Sequence, residues 1–497
     1  VAETGFVKKY AALILAVICF VYLTQLTIFI VRSDLWFDPA FSLETVHAMK
    51  TTSINWQSHD VNPPVYYYAL YGWMKLNPGI LEEYWGRELS ALFGTMFIVF
   101  AYFALRKLFG KSGEYAAIFL ALSTTYIEYG VEIRGYALIL LLSAIVLWGI
   151  AYSREKSYSL YIAALALFIL PFVHYYAAMA TFFFVVVFYV YGWDEFGSTV
   201  WFGVALLGLV GIIGIVLAYF MFAKPQMAHI VAIWPDTDFS IFPSALMSSF
   251  FYILDVALVG VSTFWWIKLI LIVMYFATFI LIGFYAYVLM KWLFKKNEQV
   301  SKRKAMLMVM SASALFPLTV LIVLSVSKVL PSYHHRYFLV VLWMFAAAGY
   351  VLLSDWLTSL NRRVAMINLF GLMIFLGILF YGFFASANHN LQELGSNIPC
   401  GSAIVVHESP FSHAPMSVFS REHDCNWDNL ISTNMTEKQA SGMGMDAVAR
   451  DKMYWNMTFP EGVMYIVHAD ENHTLPNRTT YVVYKGDGVD LLYVGAK

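Results

Sequence analysis

Between positions 33 and 64 a chain poor in charge gathers Asp34, Asp38, Glu44, Asp60, His47 and His59 in the run SDLWFDPAFSLETVHAMKTTSINWQSHDVNPP. A carboxylate here can take a proton from an incoming hydroxyl, and carboxylates mixed with imidazoles can hold a divalent ion. The plain alternative is a solvated loop with ordinary helix caps. Arg87, Arg134 and Arg336 lie far apart in sequence and carry planar guanidinium groups that grip a phosphate through paired hydrogen bonds. Their alternative is pairing with Glu88, Glu132 or another carboxylate, or snorkelling toward lipid headgroups. Glu132, two residues before Arg134, is spaced to orient it; Lys224 and Lys328 are weaker phosphate candidates.

The elements that must position these groups follow from composition. Of 497 residues, 60% are hydrophobic, 18% aromatic and only 13% charged, with a mean hydropathy of +0.67, whereas soluble domains carry roughly 25% charged residues. This composition predicts a polytopic α-helical membrane protein. The net charge of −1 offers no basic or acidic excess, so nothing points to nucleic acid as a partner.

A hydrocarbon core needs about 20 apolar residues per helix. Runs of that kind predict about eleven transmembrane helices, at 10–31, 88–107, 113–129, 135–153, 157–173, 175–192, 200–222, 262–292, 304–327, 337–354 and 363–385. The first is too long for a signal-peptide core and reads as a retained anchor. Alternating the spans puts Lys8 and Lys9, Arg106 to Lys111, Arg154 and Lys156, Lys295 to Lys304, and Arg362 and Arg363 on one side. By the inside-positive rule that side is the cytoplasm. The N-terminus is then inside; the loop 32–87, the ends bearing Arg87, Arg134 and Arg336, and everything after 385 are outside.

The expected division is therefore a transmembrane domain over 1–385 with a large outer loop at 32–87, and an extracytoplasmic α/β domain over 386–497. Short β-type runs at 402–407, 463–468, 480–484 and 491–494 support the latter. Glycosylation sequons at Asn434, Asn456, Asn472 and Asn477 all fall in this tail and none in the first 385 residues. Cys400 and Cys425 fall there too, and an oxidising compartment makes a disulfide between them the expectation. In the large loop, 41–50 and 65–76 read as short helices on the membrane surface, the second opened by Pro63-Pro64. Tyr66, Tyr67, Tyr68, Tyr71 and Trp73 then suit the headgroup interface.

Against this layout, motifs in the first two-thirds of the chain resemble the GT-C superfamily of membrane glycosyltransferases. The nearest branch is the one with protein O-mannosyltransferases and the bacterial aminoarabinose transferase. Leu35-Trp36-Phe37-Asp38-Pro39-Ala40-Phe41-Ser42 is similar to the family's W-x-D-E-A-x-S, and Asn62-Pro63-Pro64-Val65-Tyr66-Tyr67 to its H/K-P-P-L-Y-Y. RELSALFG at 87–94 resembles the start of its second span, YGVEIRGYA at 129–137 its Y-S-Q-E-A-R-M-Y-A, His174-Tyr175-Tyr176 its T-H-Y, and 331–337 its P-x-x-x-x-R-Y, ending at Tyr337. The resemblance extends over roughly 30–190 and 330–355 and leaves the tail uncovered. Two positions depart from the pattern: Pro39 stands where the family has a second acid, and Asn62 where it has His or Lys.

The resemblance implies a sugar donor on polyprenyl or dolichyl phosphate and transfer to an acceptor hydroxyl at the outer membrane face, with Asp38 in the catalytic position. Such a displacement needs a base at the hydroxyl and positive charge at the departing phosphate. Asp38 is the preferred base, since Pro39 biases the preceding residue toward extended backbone. Asp34 and Asp60 are secondary candidates for acceptor contact or metal binding. No cofactor is certain; a divalent metal has His59, Asp60, His174, His334 and His335 as candidate ligands, against interface or core histidines as the alternative. The tail's His407, Glu408, His413, His423 and Asp424 face the same choice. Protein, lipid or glycan acceptors all fit, and the sequons suggest an archaeal or eukaryotic host and a dolichyl carrier. The competing readings are a transporter or flippase of a lipid-linked substrate, and an inactive membrane scaffold.

Overall fold

The computed structural model describes residues 5–32, 37–51, 62–153, 155–174, 177, 184, 197–218, 303, 306–311, 339–359 and six strands between 403 and 495. Its contacts divide into two compact units. The first comprises Val1–Ile28, Ser90–Tyr219 and Trp234–Phe380; the second comprises Phe29–Leu89, Phe220–Ile233 and Tyr381–Lys497.

The helices are α1 (Gly5–Arg32), α2 (Phe37–Thr51), α3 (Val65–Met74), α4 (Glu82–Phe109), α5 (Lys111–Leu122), α6 (Thr124–Val131), α7 (Tyr136–Tyr152), α8 (Ser157–Ile169), α9 (Gly197–Ala218) and α10 (Leu339–Ser359). α4 begins with Glu82 and Glu83 and ends with Arg106 and Lys107, charges that complement the helix dipole at both ends. Gly110, at φ +65°, then turns the chain into α5. Within the described residues α4 is long and apolar enough to cross a membrane, and Thr125–Val131 with Tyr136–Tyr152 would pass together but for a bend of 115°.

The spans expected at 10–31, 88–107, 135–153, 157–173, 200–222 and 337–354 coincide with α1, α4, α7, α8, α9 and α10. The third, expected as one helix over 113–129, is instead broken into α5 and α6 at Ser123. Its extended backbone (ψ 124°) interrupts the ladder, and its carbonyl accepts the amides of Tyr126 (3.1 Å) and Ile127 (3.2 Å) to start α6. Ser-Thr-Thr is a natural break, because short hydroxyl side chains compete for backbone partners. The spans expected at 175–192, 262–292 and 363–385, and most of 304–327, lie outside the described residues.

In the first unit α7 is almost wholly buried. Small residues bring α8 against it. Ser159 Oγ donates to the Gly149 carbonyl (3.1 Å), and a Cβ on Gly149 would run into Ala163, the close approach typical of membrane helices. From α10, the buried Trp343 donates Nε1–H to Ser143 Oγ of α7 (2.8 Å) and meets Phe97 of α4 edge-on. Tyr22 of α1 reaches α6, its hydroxyl donating to the Tyr126 carbonyl (2.7 Å) beside Gly94 and Gly130. A Cβ on Gly130 would sit 2.5 Å from that hydroxyl. Gly130→Ala should therefore cost about 1–3 kcal/mol through overpacking, and Tyr22→Phe about 1 kcal/mol through the lost hydrogen bond. A thermal-shift series in detergent checks both, and an unchanged Gly130→Ala would mean the α1–α6 contact is looser than described.

Charge collects at one end of this unit. Lys107 pairs with Glu155, Arg106 with Glu114 (3.1 Å), and Arg303 with Asp355 (2.7 Å), whose other oxygen accepts from Ser112 (2.6 Å). These bonds bring the α4–α5 turn, the α7–α8 turn and the last turns of α10 together, so cations that the alternation assigns to a single side do share an end. Meanwhile α1, α8 and α9 expose large apolar side chains, Phe20 and Tyr161 each at 70%. Helices apolar on both inward and outward faces belong to a helical membrane protein.

In the second unit α2 and α3 take the places expected for the two loop helices, α3 starting directly after Pro64. The aromatics behave differently from the expectation. Tyr66 and Tyr67 are buried within the protein, and of the five only Tyr68 is exposed. Trp73 and Trp85 stack at 4.6 Å with planes 12° apart, each donating its Nε1–H to the other's carbonyl (2.8 and 2.9 Å). Half-buried indoles stacked this way still need partners for their N–H groups, and the reciprocal bonds supply them. The turn between, at 77–81, is held by Asn77 Oδ1 accepting the amides of Gly79 and Ile80, with Gly79 at φ +97°.

The same unit contains strands β1 (Ala403–His407), β2 (Asp428–Thr433), β3 (Met453–Trp455), β4 (Met464–His468), β5 (Thr479–Lys485) and β6 (Val489–Gly495), in the sheet order β3-β2-β1-β4-β6-β5. β1 to β4 are mutually parallel where paired; β6 runs antiparallel to β4 and β5. β1, β4, β5 and β6 fall on the four runs read as strands in the sequence, whereas β2 and β3 carry no such signal.

Candidate functional site

Within the first unit, the described polar groups with chemical potential gather where the chain breaks between α6 and α7. α6 ends at Val131, and Glu132, at ψ 130°, leaves the helix. The Arg134 amide donates back to the Glu132 carbonyl (2.7 Å), a tight turn that carries the chain to Gly135 and into α7. Ser90 Oγ of α4 donates to the same carbonyl (2.7 Å), so one backbone oxygen both closes the turn and ties it to α4. Glu132, Ile133 and Arg134 are all buried. Irregular backbone of this sort persists inside a membrane only where protein encloses it or where it lines a cavity.

His174 joins the cluster just after the Leu170–Phe172 turn that ends α8. It is buried, its ring 5.9 Å from that of Tyr136, which in turn lies 5.3 Å from Tyr129. Two of the candidate residues, Arg134 and His174, thus lie at opposite ends of the apolar pair α7–α8 from the Lys107–Glu155 link. The sequence reading expected a connection here, between the spans 113–129 and 135–153, and had Tyr129 and Tyr136 as motif positions only; Glu128 and Glu132, one helical turn apart, signal a polar stripe that ends where the helix does. Among the described residues no group of three or more His, Cys, Asp or Glu is arranged to hold a metal, and His174 packs as an aromatic neighbour.

Within the second unit, Arg87 lies in the second turn of α4 and pairs with Glu83 at 2.8 Å, both side chains 4% exposed. The sequence reading named Glu88 as the alternative partner; Glu88 is on the exposed side of the helix. The i,i+4 spacing of Glu83 and Arg87 was the available signal. This partner neutralises much of the charge that Arg87 would bring to a phosphate.

Asp38 is the second residue of α2, which corrects the expectation of an extended loop. Proline disfavours helix for the residue before it, but in the first turn its missing N–H is not needed and its fixed φ suits the helix. An acid at that end also complements the helix dipole. Asn62 is half-buried, one residue before Pro63-Pro64 and the start of α3. Asp34, His59, Asp60, His334, His335, Arg336, Tyr337, Lys224, Lys328, Cys400, Cys425 and the sequon residues Asn434, Asn456, Asn472 and Asn477 lie outside the described residues.

No protein-family profile matches the chain, and no curated protein sequence does. Among solved structures, ArnT from Cupriavidus metallidurans in the apo state is similar over 98% of both chains, at 13% identity and a TM-score of 0.47. The apo oligosaccharyltransferase of Archaeoglobus fulgidus is similar over 84% of this chain and 64% of its own, at 11% identity and a TM-score of 0.47. The same enzyme with zinc and sulfate is similar over 82% and 61%, at 12% identity and a TM-score of 0.40. At similarities this low, function has to be argued from the chain's own residues.

Proposed function

We propose that the protein transfers a sugar from a polyprenyl- or dolichyl-phosphate donor to an acceptor hydroxyl at the non-cytoplasmic membrane face. Asp38 is the base, and Arg134, with Arg87 and Arg336 as further candidates, holds the departing phosphate. The observation that carries the reading is the broken helix at Glu132–Gly135. It sets a buried guanidinium immediately before the N-terminus of α7, which has no side-chain cap. Backbone amides at a helix start and a guanidinium are both phosphate-seeking groups, and the ordered motifs around Asp38, Asn62, Arg134 and His174 support the same chemistry.

A flippase of the same lipid is the competing reading, since transporters also use broken helices. Their ionisable residues sit at mid-span, however. Here Arg87, Arg134, Glu132 and His174 lie at or near helix ends, a placement that supports contact with a lipid headgroup over passage through the midplane. The two are separated by supplying the purified full-length protein with dolichyl-phosphate hexose labelled in the sugar. A transferase frees dolichyl phosphate and moves label onto an acceptor. A flippase reconstituted in vesicles changes the donor's leaflet and leaves the sugar–phosphate bond whole, and that outcome would overturn the proposal. The mass of the lipid that copurifies identifies the carrier, and intact mass of the tail tests the Cys400–Cys425 bond and the four glycosylation positions.

A further inference from the structure

The sheet of the second unit has a feature that the transfer chemistry does not use. From β1 the order builds outward through β2 to β3, then reverses to lay β4 on the other side of β1. Open parallel sheets bind ligands at the carboxyl ends of the strands beside such a reversal. The register says which residues stand there. His407, the last residue of β1, pairs with Ser432 of β2, and Ser432 with Tyr454 of β3. One step beyond the Val406–Ile466 pair, His407 stands beside Val467 of β4. Val467 pairs with Asp490 of β6, and Asp490 with Lys485 of β5.

Register partners share a face of a sheet. Tyr454, Ser432, His407, Asp490 and Lys485 therefore form one row across all six strands, interrupted only by Val467, at the carboxyl end of the parallel set. Successive rows alternate faces, and two residues back on the same face stand Leu430, Val405, Tyr465, Leu492 and Val482, apolar apart from one phenol. The abrupt change from apolar to polar coincides with the reversal point. At a strand spacing of about 4.8 Å the six positions span about 24 Å, longer than one sugar ring.

The residue types suit a neutral ligand rich in hydroxyls. Ser432, Tyr454 and His407 can donate or accept, Asp490 accepts and Lys485 donates. One acid and one amine balance in charge, which argues against a phosphate or a carboxylate as the main attraction. We infer that this row is a saccharide-binding site for a neutral oligosaccharide, separate from the residues of sugar transfer. The choice of a saccharide among polyols rests on the transferase reading; the row and its place in the sheet do not.

The test uses the full-length protein in detergent and a panel of short, neutral, fluorescently labelled oligosaccharides. Wild type should bind at least one, with Kd raised about tenfold or more by Ser432→Ala and by Asp490→Asn, each loss of about 1.4 kcal/mol or more. Asp428→Asn, at the opposite end of β2, should bind as wild type does, and all three variants should keep the wild-type melting temperature. Failure of wild type to retain any oligosaccharide, equal weakening by Asp428→Asn, or binding of zinc alone with no saccharide bound would each overturn the inference. Asp38→Asn should remove transfer and leave saccharide binding whole. Binding absent while transfer persists sinks this inference alone; transfer absent while binding persists sinks only the transferase reading.

Discussion

Asp38→Asn in the purified full-length protein should lower sugar transfer about 10²- to 10⁴-fold, the range expected when a positioned general base is lost. The substitution keeps the shape of the side chain and removes only its capacity to take a proton. Its position makes the result interpretable. Asp38 lies in the first turn of α2, and one and two turns further on, Ser42 and Thr45 are buried with Ala40, Leu43 and Val46. A helix start anchored by that packing should tolerate an amide, so the melting temperature should stay within about 1 kcal/mol of wild type in stability terms. Asp34→Asn and Asp60→Asn serve as parallel controls for the other acids of the loop. Equal turnover by wild type and Asp38→Asn removes this carboxylate from the mechanism whatever else the protein does.

The second large effect belongs to Arg134. Replacement by Met should reduce turnover about 10²- to 10³-fold, the loss typical of one transition-state charge stabiliser. Lys should recover part of it, because it keeps the charge and loses the fork. Arg87 provides the contrast. Its partner Glu83 is as buried as it is, so Arg87→Met alone breaks a buried ion pair and should cost about 3–5 kcal/mol of stability. Removing both with Glu83→Gln and Arg87→Met should restore most of the melting temperature. If that double variant also transfers sugar normally, Arg87 is structural and the phosphate depends on Arg134 with Arg336; if it folds and is inactive, Arg87 contacts the donor. An Arg134→Met protein with wild-type kinetics would remove the broken helix from the mechanism.

Much of the helical layout was legible because long apolar runs have few alternatives: α1, α4, α7, α8, α9 and α10 begin and end near where hydropathy changes. The break at Ser123 was not, since Ser-Thr-Thr is short and the residues on either side are as apolar as any span. Pro39 misled for a related reason. A proline restricts its predecessor on average, but at a helix start that restriction is overridden by the geometry of the first turn. The aromatics of α3 were assigned by type to the interface, whereas burial depends on what faces them, and only the structure brings Trp85 back onto Trp73. In the strands, β1, β4, β5 and β6 have the alternating and β-branched residues that mark a strand, while β2 begins Asp-Asn and β3 has only three residues. Of the candidate site, Arg134 and Glu132 could be named from sequence. Their relation to Ser90 and His174 could not, because it depends on contacts between residues roughly 40 positions apart.

The eight-residue α6 has a consequence for how the chain enters its membrane. It rises only about 12 Å, too short to cross by itself, and the broken backbone on either side has polar groups that hydrocarbon does not satisfy. The hydroxyl that takes up the Tyr126 carbonyl comes from Tyr22, more than a hundred positions earlier. The region from 111 to 152 is therefore expected to partition together with α1 as one piece rather than helix by helix.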